Sequence, residues 1–246
     1  MSIATSSVPT RRTVRATARW MLTVHLFIAA CFWGIAIVVL ALVIAIIDQV
    51  GAASTSVVAF SRQAAIWLPF SMFIGVTAAY LPVHVATGLT RRVLSLGALV
   101  SAVVTGLVNG VVFAVLLVIE RAVFGALGWR WNVVDDVVWS GADVPEFFVA
   151  SCVTFVVAYV SGLLVCLTYQ RLGGWWATLA LPLTAGPIFV VSALFSQNTG
   201  PFATAGWLGG GQPVLVALSA SALIAAAMAF VFDRLTRGVP VPSRTS

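Results

Sequence analysis

Six runs without a single charged residue, at 21–47, 63–86, 93–119, 147–169, 175–195 and 213–232, most constrain what this chain can fold into. They are 27, 24, 27, 23, 21 and 20 residues long, against the ~20 residues that cross ~30 Å of hydrocarbon at ~1.5 Å each. Lipid offers the backbone no hydrogen-bond partners, so runs of this length satisfy themselves as helices. All 13 basic and 7 acidic residues lie outside the runs. A soluble core could not bury the 61% hydrophobic content of 246 residues. The sequence therefore predicts an all-α integral membrane protein with six transmembrane helices. Residues 21–232 form the membrane domain, between tails at 1–20 and 233–246. The first run follows twenty residues and lacks a convincing cleavage site, so it reads as a retained span rather than a signal peptide.

Orientation follows from the arginines. Segments 1–20, 87–92, 170–174 and 233–246 alternate along the chain and hold ten of the thirteen; the other side has Arg62, Arg121 and Arg130 and six of the seven acids. The excess of positive charge marks the cytoplasmic face, which places both termini inside. The tryptophans fit an interfacial belt on each side, with Trp20, Trp175 and Trp176 near the inner boundary and Trp67, Trp129, Trp131, Trp139 and Trp207 near the outer one. The bacterial plasma membrane is the expected location, and the bilayer, not nucleic acid, is the expected partner of the arginines.

What is missing excludes whole classes. The chain has no lysine, so it has no G-x-x-x-x-G-K-[ST] phosphate loop and is not itself a P-loop ATPase. None of the six runs carries an acid or an arginine, which argues against a proton- or sodium-coupled relay of its own. Any transport would be energised by another subunit. The histidines, His25 and His84, have no acidic neighbour within four positions, so the paired ligands of a membrane metalloprotease are lacking. Both read as satisfied polar residues or partner contacts. Ser161-Gly162 has no G-x-S-x-G around it and reads as a small pair at a helix interface. Catalytic, metal and cofactor sites are therefore not expected. Cys31, Cys152 and Cys166 read as small packing residues.

The spans still carry pattern. On the third, Ser101, Thr105 and Asn109 recur every four residues beside Ala98, Ala102, Gly106 and Gly110. The second row ends in G-x-x-x-G, which lets helix backbones approach closely in lipid. Ser151, Thr154, Ala158 and Ser161 make a similar face on the fourth. Such stripes either pack helices or line a substrate path or subunit interface. The alanines of the sixth, Ala220, Ala225, Ala226, Ala227 and Ala229, read as packing. Pro69, Pro182 and Pro187 predict kinks.

Outside the spans, residues 11–21 put Arg11, Arg12, Arg15 and Arg19 on one side of a helical wheel and Thr13, Val14, Thr17, Trp20 and Met21 opposite. This predicts a short helix lying on the anionic inner leaflet. The outer segment 120–146 has Glu120, Asp135, Asp136, Asp143 and Glu146, and reads as a solvated lid, since the spacing fits no calcium loop. The segment 196–212 is uncharged and glycine-rich, and is expected to dip toward the outer face.

One short stretch stands apart: VATGLTRRVLSLG, residues 85–97, a basic turn between the second and third spans. With the interfacial basic helix, six spans and inside termini, it is similar to type 2 ATP-binding-cassette exporter permeases, notably short actinobacterial members. The resemblance implies a coupling turn at Thr87, Gly88, Leu89, Thr90, Arg91 and Arg92 that docks on a separate ATPase, with ATP and magnesium held by that partner. It also implies a second permease subunit, identical or different. The chain departs from the family at 196–212, which is short for the usual pair of re-entrant helices. Read without the resemblance, Arg91 and Arg92 need be no more than topology signals. The capture component of an importer and a non-transporting anchor or sensor remain the alternatives.

Overall fold

The computed structural model describes residues 11–51, 56–86, 90–129, 131, 144–195 and 214–237. Among them 94% are helical and none is in a strand. The helices are α1 (Arg11–Val50), α2 (Val57–Ala86), α3 (Arg91–Ala126), α4 (Val144–Leu179), α5 (Leu181–Thr184), α6 (Gly186–Leu194) and α7 (Val214–Arg237). Five of them, α1, α2, α3, α4 and α7, are long and apolar enough to cross a membrane.

The 175–195 run is divided among the end of α4, α5 and α6. Gly173, at φ 74° and ψ 172°, breaks α4 in a conformation that only glycine adopts without strain. Beyond it the chain runs back along α4. Tyr169 Oη meets Thr178 Oγ1 at 3.0 Å, and Ser161 Oγ donates to the Thr184 carbonyl, the register of an antiparallel pair. The predicted proline breaks are present on this returning arm, since Pro182 and Pro187 each sit at the start of a new helix.

At Pro69, by contrast, α2 continues. Proline has no N–H to give the carbonyl of Ala65 four residues back, and Tyr159 Oη of α4 donates to that oxygen instead, at 3.1 Å. The Ser161 bond also satisfies a carbonyl without a helical donor, though here the donor is diverted and not missing. At the next break Ile188 N–H bonds Ala185, which leaves the Thr184 carbonyl for the serine.

α4 is the hub, touching α2, α3, α5, α6 and α7. Small residues bring its backbone close to its neighbours. A Cβ on Gly106 would lie 2.8 Å from Val156 Cα, one on Gly110 2.6 Å from Cys152 Cα, and one on Gly162 2.4 Å from the Phe70 carbonyl oxygen. The G-x-x-x-G row and the Ser161-Gly162 pair are therefore packing features, as is the buried Ser151, Thr154, Ala158, Ser161 face. Large side chains fill the space beside these contacts, with Phe73, Phe113, Phe155 and Tyr159 at the centre.

Three expectations are corrected. Residues 11–20 are helical but not a separate interfacial helix, because α1 runs unbroken for 40 residues, ~60 Å. No proline interrupts it and its one glycine, Gly34, lies far from the junction. Thr17, Ala18 and Met21 are buried, with Thr17 against Gly97 of α3. On α7 the inward face is Ala217, Ser221, Met228 and Phe232, one helical stripe, while Ala226 and Ala227 are exposed. Alanine content did not mark the buried side. Cys152 and Cys166 are buried, but Cys31 is exposed on α1.

Candidate functional site

The basic turn leads into the first turn of α3. Thr90 is its N-cap, with extended backbone and a side-chain oxygen that accepts from Val93 N–H at 3.4 Å. Arg91 and Arg92 follow as the first helical residues. Two cations there oppose the partial positive charge of a helix N-terminus, so local helix stability does not account for them. Arg91 has a compensating contact: its Nη1 donates to the carbonyl of Arg237 at the C-terminal end of α7, 3.3 Å away. Arg92 is exposed. Close by, Ser95 Oγ donates to Asp233 at 2.8 Å, and Arg237 pairs with the same carboxylate. The start of α1, the start of α3 and the end of α7 thus carry Arg12, Arg15, Arg19, Arg92, Arg234 and Arg237 as exposed cations. Thr87, Gly88 and Leu89 lie outside the described residues.

The polar stripe on α3 faces inward. Ser101, Thr105, Gly106, Asn109 and Gly110 are all buried within the chain. Asn109 Oδ1 accepts from Trp33 Nε1 of α1 at 2.6 Å and its Nδ2 donates to the Thr105 carbonyl at 2.9 Å, so Asn109 clamps α1 to α3. The hydroxyls of Ser101 and Thr105 have no hydrogen-bond partner among the described residues. Thr105 shares a void of about 10 Å³ with His25, Phe32 and Pro69, room for about one water. His25 is a satisfied polar residue, as expected. Its Nδ1 lies 2.7 Å from the Met21 carbonyl, and its ring stacks on Phe73 with centroids 4.3 Å apart. The side chain of His84 is outside the described residues, as are Asp135, Asp136 and Asp143. Among the described residues no three His, Cys, Asp or Glu side chains converge as metal ligands.

Sequence reasoning missed Glu120. It belongs to α3, not to the outer loop, and is 3% exposed. Its Oε1 accepts from the N–H groups of Val57 and Val58, at 2.7 and 2.8 Å. Its Oε2 accepts from Trp131 Nε1 at 3.0 Å and from Ser56 Oγ. Ser56 Oγ in turn accepts from Ala59 N–H at 3.1 Å. The carboxylate therefore caps α2 from another helix, where the helix dipole favours negative charge. Past it α3 closes in a Schellman turn: Gly128 has φ 70°, and Trp129 N–H bonds the Phe124 carbonyl at 2.9 Å. The sequence signal was present only in part, as a serine before an apolar run. In comparisons with protein families, curated proteins and solved structures, none matches this chain.

Proposed function

We propose that this chain is the six-span permease subunit of an ATP-binding-cassette exporter, with its termini in the cytoplasm of a bacterial cell. The returning arm from Gly174 to Leu194 serves as the fifth crossing and α7 as the sixth. A separate ATPase, which holds ATP and magnesium, docks at residues 87–92, and a second permease subunit completes the assembly. ATP binding closes the ATPase pair, the basic turns transmit that movement, and the spans open outward.

The observation that supports this reading most is the placement of Arg91 and Arg92. They occupy a helix N-terminus that electrostatics disfavours, with Arg92 turned to solvent and able to reach carboxylates of a partner. The absence of lysine from the sequence supports an energy source in trans.

Replacing both arginines by lysine tests it. Topology is preserved, because the membrane counts lysine and arginine alike, while the planar multi-donor fork is lost. Each charged hydrogen bond lost to a buried partner group costs ~1.5–3 kcal/mol. The double variant should insert normally yet recover less ATPase on affinity purification and lose substrate-stimulated hydrolysis. Normal recovery and hydrolysis, in this variant and in one carrying Leu89→Asp, would leave the two arginines as topology signals and favour the anchor reading.

A further inference from the structure

Above the Trp33–Asn109 clamp, α1 and α3 run side by side in the same direction and leave an open groove between them of about 360 Å³. Its walls are apolar: Ile37, Leu40 and Ile44 on α1, and Leu116, Ile119 and Val123 on α3, with Val58 of α2 behind them. Along α1 it extends from Ile37 to Asp48, ~16 Å at ~1.5 Å per residue. That is about half the ~30 Å hydrocarbon thickness, the depth of one leaflet.

Two carboxylates, Asp48 and Glu120, line this groove. Asp48 sits in the last turn of α1, where the helix terminus is itself partly negative, and that turn has no basic residue. Neither acid has an ion-pair partner among the described residues. Arg121, next to Glu120 in sequence, instead places its guanidinium over the Trp131 ring, 5.8 Å from the centroid. Negative charge beside low-dielectric walls concentrates the local field and raises the concentration of cations there. The donors around Glu120 satisfy its hydrogen bonds without neutralising its charge.

We infer that the α1–α3 groove binds a single-tailed cationic amphiphile from the surrounding leaflet, with its tail along the two helices and its head beside Asp48 and Glu120. The length of the groove selects a tail no longer than one leaflet, and the two acids select the sign of the head. Anionic and zwitterionic lipids place a phosphate where these carboxylates repel it. Glu120 also holds the back wall in place through Val57 and Val58, so Asp48 is the residue that separates charge recognition from structure. The inference does not depend on the proposed ATPase partner.

The test uses the full chain in lipid nanodiscs with a photoactivatable dodecyltrimethylammonium probe, and the matching dodecyl sulfate as control. The ammonium probe should label peptides within 37–48 and 116–127, and unlabelled ammonium should compete where sulfate does not. Asp48→Asn should weaken the apparent affinity for ammonium about five- to tenfold, the loss of one partly desolvated ion pair, and should raise sulfate labelling, as the repulsion of an anionic head is relieved. Ala45→Trp, which fills the groove, should abolish labelling with no loss of thermal stability. Equal labelling by both probes, or an Asp48→Asn variant that binds ammonium like the wild type, would overturn the inference, leaving the groove as ordinary lipid contact. So would a groove closed to both probes by a second copy of the chain.

Discussion

α4 and α1 are both long apolar helices, yet 78% of the most apolar stretch of α4 is buried within the chain and only 11% of that of α1. The more apolar of the two is the more exposed. In water that would be perverse, but lipid tails are as apolar as leucine, so hydrophobicity does not pull a span inward. Burial follows instead from small residues that let backbones approach and from polar groups that find partners. α4 has Ser151, Thr154, Ala158, Ser161 and Gly162 on its contact faces. The half of α1 from Ile35 onward presents Ile35, Val38, Val39, Leu42 and Ile46 to its surroundings, and the buried residues of α1, among them Thr17, Met21, His25, Ala29 and Trp33, lie before it.

The largest effect that could break this comparison comes from adding a side chain at a glycine of each kind. Gly110→Leu forces a Cβ to within 2.6 Å of the Cys152 backbone. Overpacking of this kind costs ~1–3 kcal/mol and more when backbone has to move. Gly34→Leu on α1 meets nothing within 4 Å, and it replaces a poor helix former by a good one, a gain of ~0.5–1 kcal/mol. Thermal unfolding in detergent should therefore drop sharply for the first and hold or rise for the second. Similar shifts for both would mean that α4 is not the hub.

A second contrast is between the two acids of the α1–α3 groove, Asp48 and Glu120. Glu120→Ala strands the N–H groups of Val57 and Val58 together with the Ser56 hydroxyl and the Trp131 indole. Losing charged, buried hydrogen bonds predicts ~2–3 kcal/mol of destabilisation. It also predicts faster amide exchange confined at first to the start of α2. Asp48→Asn, exposed at the end of α1, should leave the melting temperature unchanged. Equal effects would show that Glu120 is not what fixes the start of α2.

Glu120 also shows where the sequence stops being legible. A charge at the end of an uncharged run reads as a boundary, because charge in lipid is costly. Nothing in the local sequence tells that this one turns inward to meet donors 62 to 64 residues away. Arg91 is similar, with its acceptor 146 residues off. What could be read was local: five long apolar helices from five of the six uncharged runs, close contacts from G-x-x-x-G, breaks from Pro182 and Pro187. The helical wheel of residues 11–21 identified a face, and the buried Thr17 and Met21 lie on it. It could not tell whether the helix bends at the membrane, which depends on the junction and not on the face. For the coupling turn, the residues could be named, but Thr90 proves to be a helix cap and Arg91 half a tie to α7. Those roles come from the fold around the motif.

The smallest effect tests why α4 is the hub. Pro69 denies the Ala65 carbonyl its helical donor, and the Tyr159 hydroxyl supplies one at 3.1 Å. Interhelical hydrogen bonds in membranes contribute ~0.6 kcal/mol on average and up to ~1.7, and Tyr159→Phe should lower stability by that order. Pro69→Ala restores the missing N–H within α2. In that background the carbonyl has its own partner, so Tyr159→Phe should cost a few tenths of a kcal/mol or less. The difference between the two costs is the coupling between hydroxyl and proline, measured by a double-mutant cycle on unfolding midpoints. The Ser161–Thr184 bond lies at the break between α5 and α6, where Ile188 N–H turns to Ala185 and leaves the Thr184 carbonyl free. Tyr159 is thus buried on α4 with a use for its hydroxyl, whereas Thr154 and Thr168 return theirs to carbonyls of α4 itself. If Tyr159→Phe costs the same with alanine at position 69 as with proline, the hydroxyl is not serving that carbonyl. The burial of α4 would then rest on its small residues alone.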